Sequence, residues 1–121
     1  MNRATFRRFE RMSRQGDFSR ARRQGRRRAG RHLLLWTFFR KETPPRAARL
    51  GIVVGRRHGI AARRNLFKRR LREAFRLNKE RFPRGWDFVV TPRTVEKPGV
   101  FPASFRELSE DFLSLSKAVA P

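Results

Sequence analysis

Gly51-Ile-Val-Val-Gly-Arg-Arg-His-Gly-Ile-Ala-Ala-Arg-Arg-Asn-Leu-Phe-Lys-Arg-Arg-Leu-Arg-Glu-Ala-Phe-Arg76 changes its hydrophobic period part-way along, and that change decides the fold. The apolar run Leu50 to Gly55, bounded by cations and glycine, has the length and composition of a buried strand. His58-Gly59 then turns the chain. From Ala61 the period becomes helical: at about 100° per residue Phe67, Leu71, Ala74 and Phe75 fall in one stripe, a core-facing side. This predicts a helix over Ala61 to about Arg81, stopped by Pro83 and Gly85.

The rest of that helix is basic. Asn65, Lys68, Arg69, Arg72 and Arg76, with Arg64 at the edge, occupy a neighbouring face of roughly 140°. Most charge runs are solvated faces neutralised by acids one turn away. Here Glu73 is the only acid between Arg63 and Asn78, so the face keeps its charge and RNA contact is the better reading.

Upstream, His32 to Arg40 is an apolar and aromatic run between Gly30 and Thr43-Pro44-Pro45, which predicts a central strand. A loop of ordinary length joins it to Leu50–Gly55, and an antiparallel pair is the simplest arrangement of the two. A short helix over Arg14–Arg23, capped by Ser13 and stopped by Gly25, comes before them, and Arg26-Arg27-Arg28 reads as turn or strand edge. Residues 1–12 alternate Phe with Arg without a period and read as a basic arm that orders on a polyanion, leaving 13–121 as one domain. Downstream, Trp86 to Thr91 is a further strand and Pro92 to Pro102 a loop. Beyond it Ser104 and Glu107 have capping-box spacing ahead of a helix with Phe105, Leu108, Phe112 and Leu115 at three- and four-residue intervals.

Composition narrows the function. The 121 residues suit one domain, and 38% hydrophobic content with 12 Phe and 2 Trp is enough for a core. Thirty-two Lys and Arg against ten Asp and Glu give +22, a surface that calls for a polyanion, and the excess of Arg over Lys favours phosphate forks and base stacking. No apolar run approaches the ~20 residues of a membrane span. The chain has no cysteine, which excludes disulfides and thiolate metal sites and agrees with the cytoplasm as the expected location. His32 and His58 have no carboxylate at a diagnostic spacing, and Asp17, Glu73 and Asp87 are scattered singly, so neither a catalytic set nor a protein metal site is expected.

The Gly51–Arg76 segment resembles the signature of the bacterial ribonuclease P protein. The matching pieces are Gly55-Arg56-Arg57 after a strand, then Arg64-Asn65-Leu66, Lys68-Arg69 and Arg72-Glu73-Ala74-Phe75 on the helix. The similarity extends to Asp17-Phe18 and Gly25, through Trp36, and on to Trp86-Asp87-Phe88-Val89-Val90, over about residues 11–117. It implies an α+β fold: one α/β sandwich-type domain with a four-stranded sheet, about three helices packed on one side, and a left-handed βαβ crossover holding the basic helix. It further implies two RNA surfaces. Arg63, Arg64, Asn65, Lys68, Arg69, Arg72 and Arg76 are expected to meet the catalytic RNA. Phe18, Arg22, Trp36, Arg56 and Arg57 are expected to hold the single-stranded 5′ leader of precursor tRNA.

Three positions depart from the family pattern: Leu66 stands where the helix motif has a second Arg, Gly55 where Ser is usual, and Arg22 where the first helix carries a second aromatic. Arg63 and Arg70 are near enough to offset the charge missing at Leu66, and a guanidinium at position 22 can itself stack on a base. The implied function is that of the ribonuclease P protein subunit, paired 1:1 with its RNA and assisting removal of the leader from precursor tRNA. No cofactor is expected on the protein alone, and magnesium is expected at the RNA active site. A basic ribosomal protein binding rRNA is the alternative from another class. Composition does not separate the two, and the ordered series from Asp17-Phe18 to Phe75 favours ribonuclease P.

Overall fold

The computed structural model describes residues 7–93, 101–117 and 119. Four strands, β1 (Arg26–Ala29), β2 (Leu33–Phe39), β3 (Arg49–Ile52) and β4 (Trp86–Pro92), form one sheet in the order β1-β2-β4-β3. Three α-helices accompany it: α1 (Gln15–Gln24), α2 (Ala61–Leu77) and α3 (Phe105–Ser116).

The expected antiparallel pairing of the two upstream apolar runs does not form. β4 lies between them, antiparallel to β2 and parallel to β3. The reason is burial. β4 has six of its seven residues buried, so it needs neighbours on both edges and cover on both faces. A parallel β3·β4 pair requires a long crossover, and α2 supplies it. Charge fixes the register: Arg49 is the cross-strand partner of Asp87, and its Nε and Nη2 donate to the two carboxylate oxygens, both at 2.8 Å.

Alternation along β2 divides the core in two. Leu33 and Leu35 face α2 and α3 with Phe67, Leu71, Phe75, Phe82, Phe88 and Phe112 in the larger cluster. Leu34, Trp36 and Phe38 face the other way with Val89, Met12, Ala21 and Phe18. The helices are therefore not all on one side of the sheet: α1 covers the face opposite α2 and α3, because its one fully buried residue, Ala21, packs beside Trp36 and Val89.

The stripe read on α2 is the buried one, Phe67, Leu71, Ala74 and Phe75. The helix ends at Leu77, short of Arg81: Asn78 leaves helical geometry, donates its Nδ2 to the Ala74 carbonyl at 2.8 Å, and is followed by a 3-10 turn over Lys79–Arg81. On α1 the N-cap is Arg14, not Ser13, and Gly25 takes the C-cap as expected. Ser104 and Glu107 form the capping box of α3 with reciprocal 3.1 Å bonds. Arg26–Ala29 is an edge strand, paired to β2 through a turn whose three amides, those of Arg31, His32 and Leu33, donate to the Asp111 carboxylate at 2.9–3.0 Å. Of the expected basic arm, residues 1–6 lie outside the described residues. Residues 7–12 lie against the domain: Arg11 bridges to Leu50, Met12 is buried, and Glu10 accepts from Lys79 Nζ at 2.7 Å. The expected loop 92–102 is described only at its ends.

Asp87 is fully buried between Arg40 and Arg49. Asp87→Ala strands two guanidiniums, Arg40 with only 6% of its side chain exposed, and is expected to cost about 3–5 kcal/mol in urea denaturation.

Candidate RNA interface

A single turn joins the two surfaces that the sequence singled out. Gly55 to Gly59 leads from the end of β3 into α2, and the backbone reverses at Gly59, whose φ of 126° belongs to glycine. Arg56 and Arg57 are exposed on it, whereas His58 is buried beneath them. The Gly55 amide donates to His58 Nδ1 at 3.2 Å, and the imidazole packs against Phe101 with ring centroids 5.9 Å apart. Burial first, and then the charge of Arg57, lowers the His58 pKa, which keeps Nδ1 free to accept that bond.

On one side of this turn is the α2 face. Asn65 and Arg69 are exposed, and Lys68 and Arg72 are partly buried. The side chains of Lys68 and Arg69 enter no hydrogen bond or ion pair with a described residue. Burial, followed by repulsion from Arg11, lowers the Arg72 pKa. Arg76 is held by Glu73 on its own helix, and Arg64 donates Nε to the Gly59 carbonyl at 3.0 Å, tying the start of the face to the turn.

Arg63 is placed elsewhere. It and Arg70 lie on the opposite flank and donate to the carbonyls of Phe101 (2.8 Å) and Ala103 (2.6 Å), where they clamp the chain entering α3. Both guanidiniums keep their charge in these bonds to neutral carbonyls, so they still add to the positive potential around Leu66 from that flank.

On the other side of the turn is an open cleft of about 870 Å³ between α1 and the sheet, lined among others by Phe18, Arg22, Trp36, Ile52 and Val53. Its floor depends on Gly51: a Cβ there would come within 2.6 Å of Phe18 Cε1 and 2.9 Å of Met12 Sδ, so only a bare backbone lets the Phe18 ring settle on β3. Trp36, 9% exposed, is covered by the Arg22 guanidinium 5.1 Å from its ring. The position that lacks the second aromatic thus carries a cation stacked on an indole, whose outer face remains available. Phe18, Arg22 and Trp36 meet in one cleft, and Arg56 and Arg57 stand on the turn that continues its β3 wall. Sequence reading missed Val53 and Ile52, although their place at the end of the Leu50–Gly55 run was a usable signal, and it missed Gly51 because only the packed structure shows what sits above it.

A family profile described as ribonuclease P matches residues 6–119. The chain belongs to the ribonuclease P protein family. Among relatives, the ribonuclease P protein component of Thermotoga maritima is 44% identical over 72 residues, 60% of this chain and 62% of that protein, so this match spans less than two thirds of the relative. The component from Chloroflexus aurantiacus is 39% identical over 109 residues, covering 90% of this chain and 76% of the other. The solved RNase P protein from Thermotoga maritima superimposes with a TM-score of 0.78 at 33% identity, covering 93% of this chain and 99% of that one. That from Staphylococcus aureus gives 0.74 at 25% identity over 92% and 98%. The four-stranded mixed sheet with three helices is therefore a ribonuclease P protein fold.

Two measurements check this geometry. Gly51→Ala should destabilise the protein by about 1–3 kcal/mol through overpacking, with Phe18→Leu in the same chain recovering part of the loss in urea denaturation. His58, with its folded pKa below the ordinary 6.5, contributes stability in full above that pH and loses it as pH falls through the lowered value. The decline of Tm below pH 6.5 should be shallower in His58→Phe.

Proposed function

We propose that this protein is the protein subunit of ribonuclease P, binding the catalytic RNA and the 5′ leader of precursor tRNA, one protein per RNA, to assist endonucleolytic formation of the mature tRNA 5′ end. The observation that carries the reading is the Gly55–Gly59 turn, which couples a strongly cationic helix face to a cleft with stacking groups. Family membership supports it, and the ribosomal alternative is not favoured.

On α2, Asn65, Lys68, Arg69 and Arg72 meet the phosphates of the catalytic RNA, with Arg64 and Arg76 at the margins. In the cleft, a leader base stacks on Phe18 or on the outer face of Arg22, which Trp36 supports from below. A guanidinium between base and indole offers stacking without base-edge readout, suiting a partner whose leader sequences vary. Arg56 and Arg57 bridge the two surfaces and screen the phosphates where leader and catalytic RNA converge.

No three His, Asp or Glu side chains among the described residues are grouped to hold a metal ion. On the reading of the protein as the RNA-binding subunit, we assign the bond chemistry to the RNA and its magnesium ions, and binding and charge screening to the protein. No helix among the described residues is long and apolar enough to cross a membrane. As the partner of a catalytic RNA and precursor tRNA, the protein is assigned to the cytoplasm.

The test is cleavage of a leader-bearing precursor tRNA by a bacterial ribonuclease P RNA at low magnesium, with and without the protein. Stimulation giving the mature 5′ end is expected. Neutralising Lys68, Arg69 and Arg72 should weaken catalytic-RNA binding and make its salt slope shallower by about 0.7–0.9 for each phosphate no longer neutralised. Phe18→Ala should instead weaken binding of leader-bearing substrate about 5- to 150-fold, the equivalent of about 1–3 kcal/mol of stacking, with little change for the catalytic RNA. Equal losses on both RNAs would refute separate surfaces.

A further inference from the structure

We propose that the leader track does not end at Trp36 but continues across the free edge of the sheet, where Arg23 and Arg27 grip the phosphates of nucleotides farther 5′. This rests on the reading of the cleft as the leader site and extends it to a subsite on a different element. The first support is register. Arg27 of β1 is the direct cross-strand partner of Trp36, so its side chain emerges on the same face of the sheet, next to the indole that floors the cleft. Arg23, one residue beyond Arg22 on α1, stands at the rim of the same cleft. The two approach the exit from α1 and from the strand beneath it.

The second support is charge. Arg23, Arg26 and Arg27 are exposed, and their side chains enter no hydrogen bond or ion pair with a described residue. Nearby carboxylates are already engaged. Asp17 and Asp87 pair with Arg20, Arg40 and Arg49. Asp111 is occupied by three backbone amides of the β1–β2 turn. Nothing in the described fold neutralises this edge, and a phosphodiester backbone would.

Direction follows from topology. The catalytic RNA sits on α2, so the leader nucleotides nearest the cleavage site enter at Arg56 and Arg57. The strand order β3-β4-β2-β1 then makes β1 the last strand crossed, three strand spacings or about 14 Å away. Only a leader long enough to cross the whole sheet reaches Arg27.

The experiment uses holoenzyme assembled with a bacterial ribonuclease P RNA and a set of precursor tRNAs whose leaders lengthen one nucleotide at a time. With wild-type protein, affinity should rise in two stages, the second appearing only with the longer leaders. Arg23→Ala/Arg27→Ala should abolish the second stage, weaken long-leader binding several-fold, and make its salt slope shallower by about 1.4, or about 0.7 for each of two single-strand phosphates. Arg23→Lys/Arg27→Lys should keep the slope, and an unchanged circular dichroism spectrum with unchanged catalytic-RNA affinity would show that the alanine variant is folded. A loss of equal size for every leader length, or no loss at any, would overturn the β1 subsite. Phe18→Ala in the same set separates the two levels: if it removes the first stage while the double-alanine variant matches wild type, the cleft reading stands and the extension fails. If neither variant alters the dependence on leader length, both fail.

Discussion

The Asp87 carboxylate, fully buried and shared by Arg40 and Arg49, is the interaction on which the arrangement of the sheet depends. It sits on β4, takes one cation from the end of β2 and another from β3, and so joins both neighbours of the central strand. Arg40 also donates to the Ala47 carbonyl and to Glu42, whose pKa is lowered to about 2 chiefly by that bond, so the connection between β2 and β3 folds back onto the same guanidinium. Asp17 accepts from Arg49 at 3.2 Å, which brings the first turn of α1 into the network. A buried charge is weak evidence of stability, because desolvation offsets much of the attraction, but breaking it is costly, so an arrangement that leaves Asp87 without its partners is disfavoured. Here they fix which strand lies between which.

That use of Asp87 belongs to a wider distribution of acidic groups. With ten carboxylates against thirty-two cations, where the acids sit determines where positive charge is left over. Asp17, Glu42 and Asp87 gather at one end of the sheet. Glu10 ties residues 7–12 to Lys79, and Asp111 holds the β1–β2 turn. Apart from the Glu73–Arg76 pair, no described acid is placed on the outer face of α2, the Gly55–Gly59 turn or the cleft mouth. The cationic surfaces are what remains once the internal joints have been made.

Much of this was legible beforehand, and what was not has identifiable causes. The α2 stripe, the capping box of α3 and the three apolar strands follow from local periodicity and end signals, which act over a few residues. The sheet order does not: β2 and β3 look like an antiparallel pair until Asp87 and the burial of β4 on both faces place β4 between them, a constraint acting over 38 residues of chain. The position of α1 opposite α2 and α3 was hidden for a related reason, since alternation in β2 says only that both faces are apolar. At the site, residue types and periodicity pointed to the basic face, and the family resemblance pointed to Phe18, Arg22 and Trp36. Periodicity put Arg64 at the edge of that face, whereas the hydrogen bond of Arg63 to the Phe101 carbonyl depends on where the α3 entry passes, which no local pattern shows.

The cleft shows how a departure in sequence can preserve a surface. Replacing an aromatic ring by Arg22 would leave a hole if the position were core, because a guanidinium does not fill apolar space without partners. Here the guanidinium is laid over Trp36, which is 9% exposed, and α1 is held over the sheet by Ala21 and by Phe18 seated on Gly51. The stacked pair keeps a flat outer face while adding a positive charge to it. For a single-stranded polyanion the exchange retains the stacking platform and increases the attraction of the site, so the departure at position 22 strengthens the electrostatic part of the cleft rather than dismantling it.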